Sequence, residues 1–210
     1  DADRLDEAIR RPVHIIPNAI PAADRLPAEL PPEAPRTGGP RLLFVGHLGY
    51  PPNVLAAVRL ATGILPAVRR SAPDATLILA GRNPSHRVTN LTDASGVTLL
   101  PDPPDVTALL AEVELVVVPL TIGGGTRLKV LEAMAHGVPV VATRLAVEGL
   151  DLAPGVHYQA GETDAELAAA VLALAGDRER RNAIRAAAFR HVRNRFAPGQ
   201  IERAVAFALA

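Results

Sequence analysis

The sequence predicts an α/β fold, a Rossmann-like parallel sheet of about six strands with helices on both faces. Three observations carry this. Short apolar runs recur from Leu42 onward, the first four closed by glycine or proline. Helical periodicity separates them, which implies βαβ crossovers. The runs are apolar throughout rather than alternating, as expected of strands buried on both faces. The 210 residues suit one domain.

Taken in order, 3–10 fits a short helix, and Val13 to Ile16 a strand stopped by Pro17 and Asn18. Residues 21–40 hold many of the 20 prolines and read as a surface linker without a regular element. Leu42 to Val45 is then a strand ended by Gly46, and Val54 to Arg70 has helical spacing. Further strands are expected at 76–80, 97–100, 115–118 and 138–141, with a short sixth at Val156 to Tyr158. Helices are expected at 106–112 and 126–136, and two or three more after Asp164. In such sheets ligands bind at the carboxyl ends of the strands, which directs attention to the loops after Val45, Ala80, Leu100 and Val118.

Composition excludes several classes. With 22 basic and 22 acidic residues, the chain lacks the positive excess of a general nucleic-acid binder. Its two tyrosines and four phenylalanines are scattered and form no base-stacking platform. Without cysteine there are no disulfides, thiolate metal sites or cysteine nucleophiles. No apolar run approaches the roughly 20 residues of a membrane span, and no signal peptide opens the chain. The chain starts at Asp1, which suggests a fragment or a processed protein. Of the 22 basic residues only Lys129 is lysine. Arginine bias explains the missing lysines but not why this one remains.

Lys129 sits in the most informative stretch, residues 123–141, GGGTRLKVLEAMAHGVPVV. A buried strand runs into Gly123, Gly124 and Gly125 and then a helix, with Thr126 as the expected N-cap. Glycines let backbone N–H groups approach a ligand, and a helix N-terminus favours an anion. Arg127 and Lys129 in the first turn oppose the helix dipole unless an anion compensates. Leu128, Leu131 and Ala135 share a face that should pack on the sheet. Lys129 and Glu132 share another, so Glu132 can face the same space one turn deeper and accept from a ribose diol, or form a solvated pair with Lys129. No P-loop or dinucleotide glycine pattern is present.

The segments 13–19 (VHIIPNA), 43–53 (LFVGHLGYPPN), 123–141 and 141–150 (VATRLAVEGL) together resemble group 1 (family 4) glycosyltransferases over about residues 12 to 196. The resemblance implies the C-terminal, nucleotide-sugar-binding half of a GT-B enzyme, with an acceptor-binding N-terminal domain lying elsewhere. Residues 1–11 would be the tail of that domain, 12–198 the donor domain, and 199–210 a helix crossing back. The family's Glu-x7-Glu pattern places its ribose-binding Glu at Glu132, whereas its sugar-contacting Glu falls at Gly124. The Arg and Lys usual after the first strand are replaced by His47 and two prolines. Arg127 and Lys129 then become the catalytic cations, with Arg82 a third candidate. Gly46 and His47 would line the phosphates, although His47 can equally be an ordinary loop histidine. Leu100 to Pro103 would present backbone to the base.

The expected function is transfer of a sugar from a nucleoside-diphosphate sugar to a saccharide or lipid-linked acceptor, with retention, as in bacterial polysaccharide biosynthesis. The fragment alone is expected to be inactive. No cofactor or metal is expected, since no Asp-x-Asp triplet lies near the glycine loop. Expected partners are the nucleotide sugar and the N-terminal domain, with no nucleic acid. The location would be cytoplasmic, with peripheral attachment at the inner membrane face as a variant. The Arg178, Arg180, Arg181 and Arg185 cluster is read as a solvated face, and Glu148 as a helix cap or cleft edge. The alternatives are a non-catalytic nucleotide-sugar module or degenerate partner and, in the same fold, a nucleotide-sugar epimerase.

Overall fold

The computed structural model describes residues 26–34 and 38–196, with 199 and 206. The tail to residue 11, the strand expected at Val13 and, but for those two positions, the crossover helix at 199–210 lie outside the described residues. Six parallel strands form one sheet in the order β3-β2-β1-β4-β5-β6. They are β1 (Arg41–Val45), β2 (Thr76–Gly81), β3 (Val97–Pro101), β4 (Leu115–Val118), β5 (Val140–Ala142) and β6 (Gln159–Ala160). The order reverses between β1 and β4, so the loops after these two strands diverge and leave a crevice. All four β4 residues are buried, as are Leu42, Leu43 and Phe44 of β1. At the amino ends the Arg41 N–H donates to the Glu114 carboxylate at 2.6 Å, and Glu114 N–H returns a bond to the Arg41 carbonyl at 3.1 Å.

Helix α1 (Pro51–Arg59) continues through a π-turn (Leu60–Ile64) into α2 (Leu65–Arg69). Pro66 accounts for the π-turn: it supplies no N–H to the carbonyl four residues back, and the wider turn makes room for its ring. The stretch Pro51–Arg69 is long and apolar enough by composition to pass for a membrane span, which the sequence reading overlooked, yet half of it is buried in the fold. Arg59, in its middle, donates to the carbonyls of Pro119 and Glu162 and pairs with Asp164. These contacts tie α1 to the ends of β4 and β6.

The remaining helices are α3 (His86–Thr89), α4 (Thr107–Glu112), α5 (Leu128–Ala135), α6 (Asp164–Gly176) and α7 (Arg178–Phe196). Helix α6 begins in a capping box in which Thr163 and Glu166 satisfy each other's backbone N–H groups.

Several expectations need correction. The fifth strand starts at Val140 rather than Val138, because the Val138 N–H closes α5 by donating to the Ala133 carbonyl and Gly137 takes a positive φ of 70°. The sixth strand is not Val156 to Tyr158, since the Gly155 and His157 N–H groups fold 153–158 into a turn. Helix α5 starts at Leu128, with Arg127 and not Thr126 at the capping position. The Arg127 carbonyl accepts from Val130 and Leu131. The apolar face of α5 is also broader than three residues, for Val130, Ala133 and Met134 are buried too.

Of the late arginines, Arg178 and Arg180 are exposed as expected, but the other two are not part of a solvated face. Arg181 and Arg185 are buried on α7 and hold the proline-rich segment. Arg181 donates to Glu33 at 2.9 Å, Arg185 to the Pro31 carbonyl at 2.8 Å, and Arg193 to the Pro27 carbonyl at 2.6 Å. The described part of the linker has no regular element, as expected, but it is strapped to the domain rather than merely lying on its surface.

Candidate functional site

The crevice at the carboxyl ends of β1 and β4 is built by three segments. The first is the turn after β1. The Gly46 N–H donates to the Ala80 carbonyl at 3.0 Å, which holds the turn beside β2. Its backbone passes so near the crevice that a Cβ on Gly46 would meet Asn53 Nδ2 at 2.9 Å and Lys129 Nζ at 3.0 Å. The His47 side chain is exposed, and its carbonyl accepts from Asn53 Nδ2 at 3.0 Å. The second segment is the start of α1, where Pro51 and Pro52 suit the first turn because its N–H groups need no helical partner.

The third is the glycine loop after β4. Gly123 has φ of 112° and Gly125 has 95°, conformations that favour glycine. A Cβ on Gly123 would also crowd the Pro52 ring at 3.1 Å, whereas one on Gly124 or Gly125 would meet nothing within 4 Å. Gly124, with neither a positive φ nor a neighbour, has room for a side chain. A small cavity of about 130 Å³ opens here, lined among others by Tyr50, Asn53, Gly123, Gly124, Thr126, Arg127 and Lys129.

The two predicted cations behave differently. Arg127 is buried, donates to the Gly123 carbonyl at 3.2 Å and lies 3.7 Å from the Glu148 carboxylate. Its Nε has no partner and is enclosed. The guanidinium therefore braces its own loop. The Lys129 ammonium donates to Asn53 Oδ1 at 2.7 Å and lies 4.4 Å from the centre of the Phe44 ring. It forms no ion pair among the described residues. Burial and the nearby Arg127 charge lower its pKa to about 8, with Glu132 acting weakly the other way.

Glu132 does not pair with Lys129 and does not line the small cavity; it lies one turn deeper, half-buried. Burial raises its pKa, against the pull of His136 and Lys129. Arg82 is exposed after β2 and forms no ion pair among the described residues, while its carbonyl accepts from Leu48 N–H at 2.8 Å. Leu100 is in β3, opposite Ala80. The structure thus gathers Gly46, the glycine loop, Arg127 and Lys129 at one crevice, and leaves Arg82 and Leu100 on the β2–β3 side. A larger cavity of about 580 Å³ opens at the amino ends of β4 and β5 and contains none of the predicted residues.

Asn53 and Phe44 were missed as site residues. Asn53 did carry a signal, as a polar residue at the third position of a helix whose neighbours there are apolar. Phe44 carried none, because an aromatic residue in a buried strand reads as core.

The chain is similar to known proteins in family and in fold. The family description Glycosyl transferases group 1 matches residues 39–177. No curated protein matches in sequence. Among solved structures, Anabaena Alr3699/HepE in complex with UDP and glucose superposes with a TM-score of 0.68 at 21% identity, over 82% of this chain and 48% of that one. S. aureus TarM, in complex with Fondaparinux, alpha-GlcNAc-glycerol and UDP, gives 0.69 at 15% identity, over 99% of this chain and 42% of that one. The C-terminal domain of a group 1 glycosyl transferase from Francisella tularensis, LpcC, gives 0.62 at 17% identity, over 79% and 89%. The chain spans about half the length of HepE. Family match, strand order and glycine loop agree, and the chain belongs to the group 1 glycosyltransferases.

Proposed function

We propose that this chain is the donor-binding domain of a glycosyltransferase and holds a nucleoside-diphosphate sugar at the crevice between β1 and β4. One observation carries the reading. The Lys129 ammonium is partly withdrawn from water at the mouth of a glycine loop, held by an amide and an aromatic face, and forms no ion pair among the described residues. A cation so placed is costly alone and is compensated by an anion. As the bond between sugar and diphosphate breaks, negative charge grows on the leaving group. Lys129, the loop N–H groups and the α5 dipole would oppose that charge. Arg127 would act by keeping the loop in shape, its own charge adding to the local field. Glu132, one turn deeper, would take the ribose hydroxyls. His47, Arg82 and Leu100 remain candidates for the sugar phosphate and base. The acceptor, a saccharide or lipid-linked sugar, would be presented by a separate N-terminal domain, and the anomeric configuration would be retained. A cytoplasmic location, at or beside a membrane face, belongs to the same reading.

The test is calorimetry with UDP, GDP, ADP and their sugars. Lys129→Ala should weaken the preferred nucleotide by about 1–3 kcal/mol, the scale of a charge-assisted hydrogen bond. Unchanged affinity refutes the assignment. A non-catalytic donor module is the second reading, favoured by the open space at Gly124, where the family resemblance expects a carboxylate. Sugar transfer by the full-length protein decides between the two.

A further inference from the structure

The turn after β1, residues 46–50, carries no lysine or arginine, yet Asn53, just beyond it, touches the Lys129 ammonium. Asn53 is buried, and its carboxamide is used at both ends. Nδ2 donates to the His47 carbonyl at 3.0 Å, and Oδ1 accepts from Lys129 Nζ at 2.7 Å. This orientation is the only one consistent with both partners, since a carbonyl can only accept and an ammonium can only donate. Gly46 completes the arrangement, for a Cβ there would press on both Asn53 and Lys129 at 2.9–3.0 Å.

We propose that Asn53 is a positioning residue, which ties the Lys129 ammonium to the turn after β1 and so aims it at the donor phosphates. The proposal rests on the donor-binding reading. The two residues are 76 positions apart, on the two sides of the crevice, so their bond joins its walls. An amide suits the task because it is neutral. It fixes the direction of the ammonium and leaves its charge for the ligand. A carboxylate in the same place would fix it and cancel it. The Phe44 ring floors the ammonium without adding formal charge. The charged groups that act on Lys129 are Arg127 and Glu132, both on its own segment. From β1 and α1 its contacts are the Phe44 ring and the Asn53 amide, and neither carries a charge.

The lone lysine makes the test direct. In protein labelled with isotopic lysine, the side chain gives one resonance, whose midpoint of titration is read across the alkaline range. Asn53→Asp should move that midpoint up, by adding a negative charge. Asn53→Leu should move it down, by removing the acceptor for the charged form. In UDP titrations Asn53→Asp should bind roughly tenfold more weakly at neutral pH. Its alkaline loss of affinity should begin at higher pH than in the wild type. In a Lys129→Ala background, Asn53→Leu should cost little further affinity. A midpoint unmoved by both substitutions overturns the proposal, as does an Asn53→Leu penalty that persists undiminished without Lys129. If the wild type binds none of UDP, GDP and ADP, the donor reading falls and the donor role of Asn53 with it. The titration alone then decides whether Asn53 controls Lys129.

Discussion

Arg127 turns back on its own loop and donates to the Gly123 carbonyl at 3.2 Å, four residues earlier in the chain. The Glu148 carboxylate at 3.7 Å adds little, being mostly in water. The bond to Gly123 thus gives the glycine loop a side-chain brace. Arg127→Ala is expected to cost about 1–2 kcal/mol and lower the melting temperature by roughly 2–8 °C. Arg127→Lys should not restore it, because an ammonium lacks the planar fork. An unchanged melting curve for Arg127→Ala would show that the loop holds its shape without this contact.

The three glycines should respond unequally to a methyl group. Gly123→Ala meets both a positive φ and the Pro52 ring, so a loss of about 1–3 kcal/mol is expected. Gly125→Ala meets only the positive φ, with a loss near 1 kcal/mol. Gly124→Ala and Gly124→Glu should stay within about 0.5 kcal/mol of the wild type, since that position has open space. Urea midpoints measured together test the ranking. Gly124→Glu also restores a carboxylate where the family resemblance expects one, so its effect on sugar selectivity is a second readout.

Lys129 should write its burial into the alkaline stability of the free protein. Its folded pKa of about 8 lies below its ordinary value of 10.5, so between these values the unfolded chain binds more protons. Folding stability attributable to this group therefore rises as pH climbs through that window. Relative to Lys129→Met, which has no such group, the wild type should gain roughly 1–3 kcal/mol across it, partial exposure reducing the figure. Chemical denaturation of both proteins along a pH series checks this. Parallel curves would mean that the ammonium is hydrated as in a free chain.

Glu33 gives the same sign of pH dependence at the other end of the pH scale, because its pKa is lowered too. Burial works against its charge, but the Arg181 hydrogen bond and the charges of Arg181, Arg185 and Arg178 outweigh it and hold its pKa below the ordinary value. Its contribution is complete above the ordinary carboxylate range and is lost as pH falls through the folded value. Glu33→Gln should therefore lose about 2 kcal/mol at neutral pH, with the gap to the wild type closing in acid. A deficit that is constant with pH would mean that shape, and not charge, is what the arginines recognise.

The central sheet was readable because its strands are apolar on both faces, and Leu42 to Phe44 and Leu115 to Val118 leave no other reading. Boundaries failed where one residue serves two elements. Val138 looks like strand but its N–H finishes α5, and Thr126 looks like a cap although the glycine loop delays the helix by a residue. The crevice was legible through the glycines and Lys129, which are local in sequence. What sequence could not show is how long side chains spend their hydrogen bonds. Arg127, Arg181 and Arg185 all looked like free cations, yet loop carbonyls take up Arg127 and Arg185, and the Glu33 carboxylate and the Leu174 carbonyl take up Arg181. Asn53 stayed hidden for the same reason, its partner being 76 residues away.

The seam between β1 and β4 has a kinetic meaning. Leu42 pairs with Leu115 and Leu43 with Val116, so this pairing closes a loop of about seventy residues, while β1–β2 and β4–β5 close much shorter ones. Contacts of such separation form late. The wall bearing Asn53 and the wall bearing Lys129 belong to opposite sides of that seam. Each can fold with its own neighbours, but the crevice comes into existence only when the two halves dock. Recovery of nucleotide binding after dilution from denaturant should therefore lag behind the recovery of helical signal, and would time the last event in assembly.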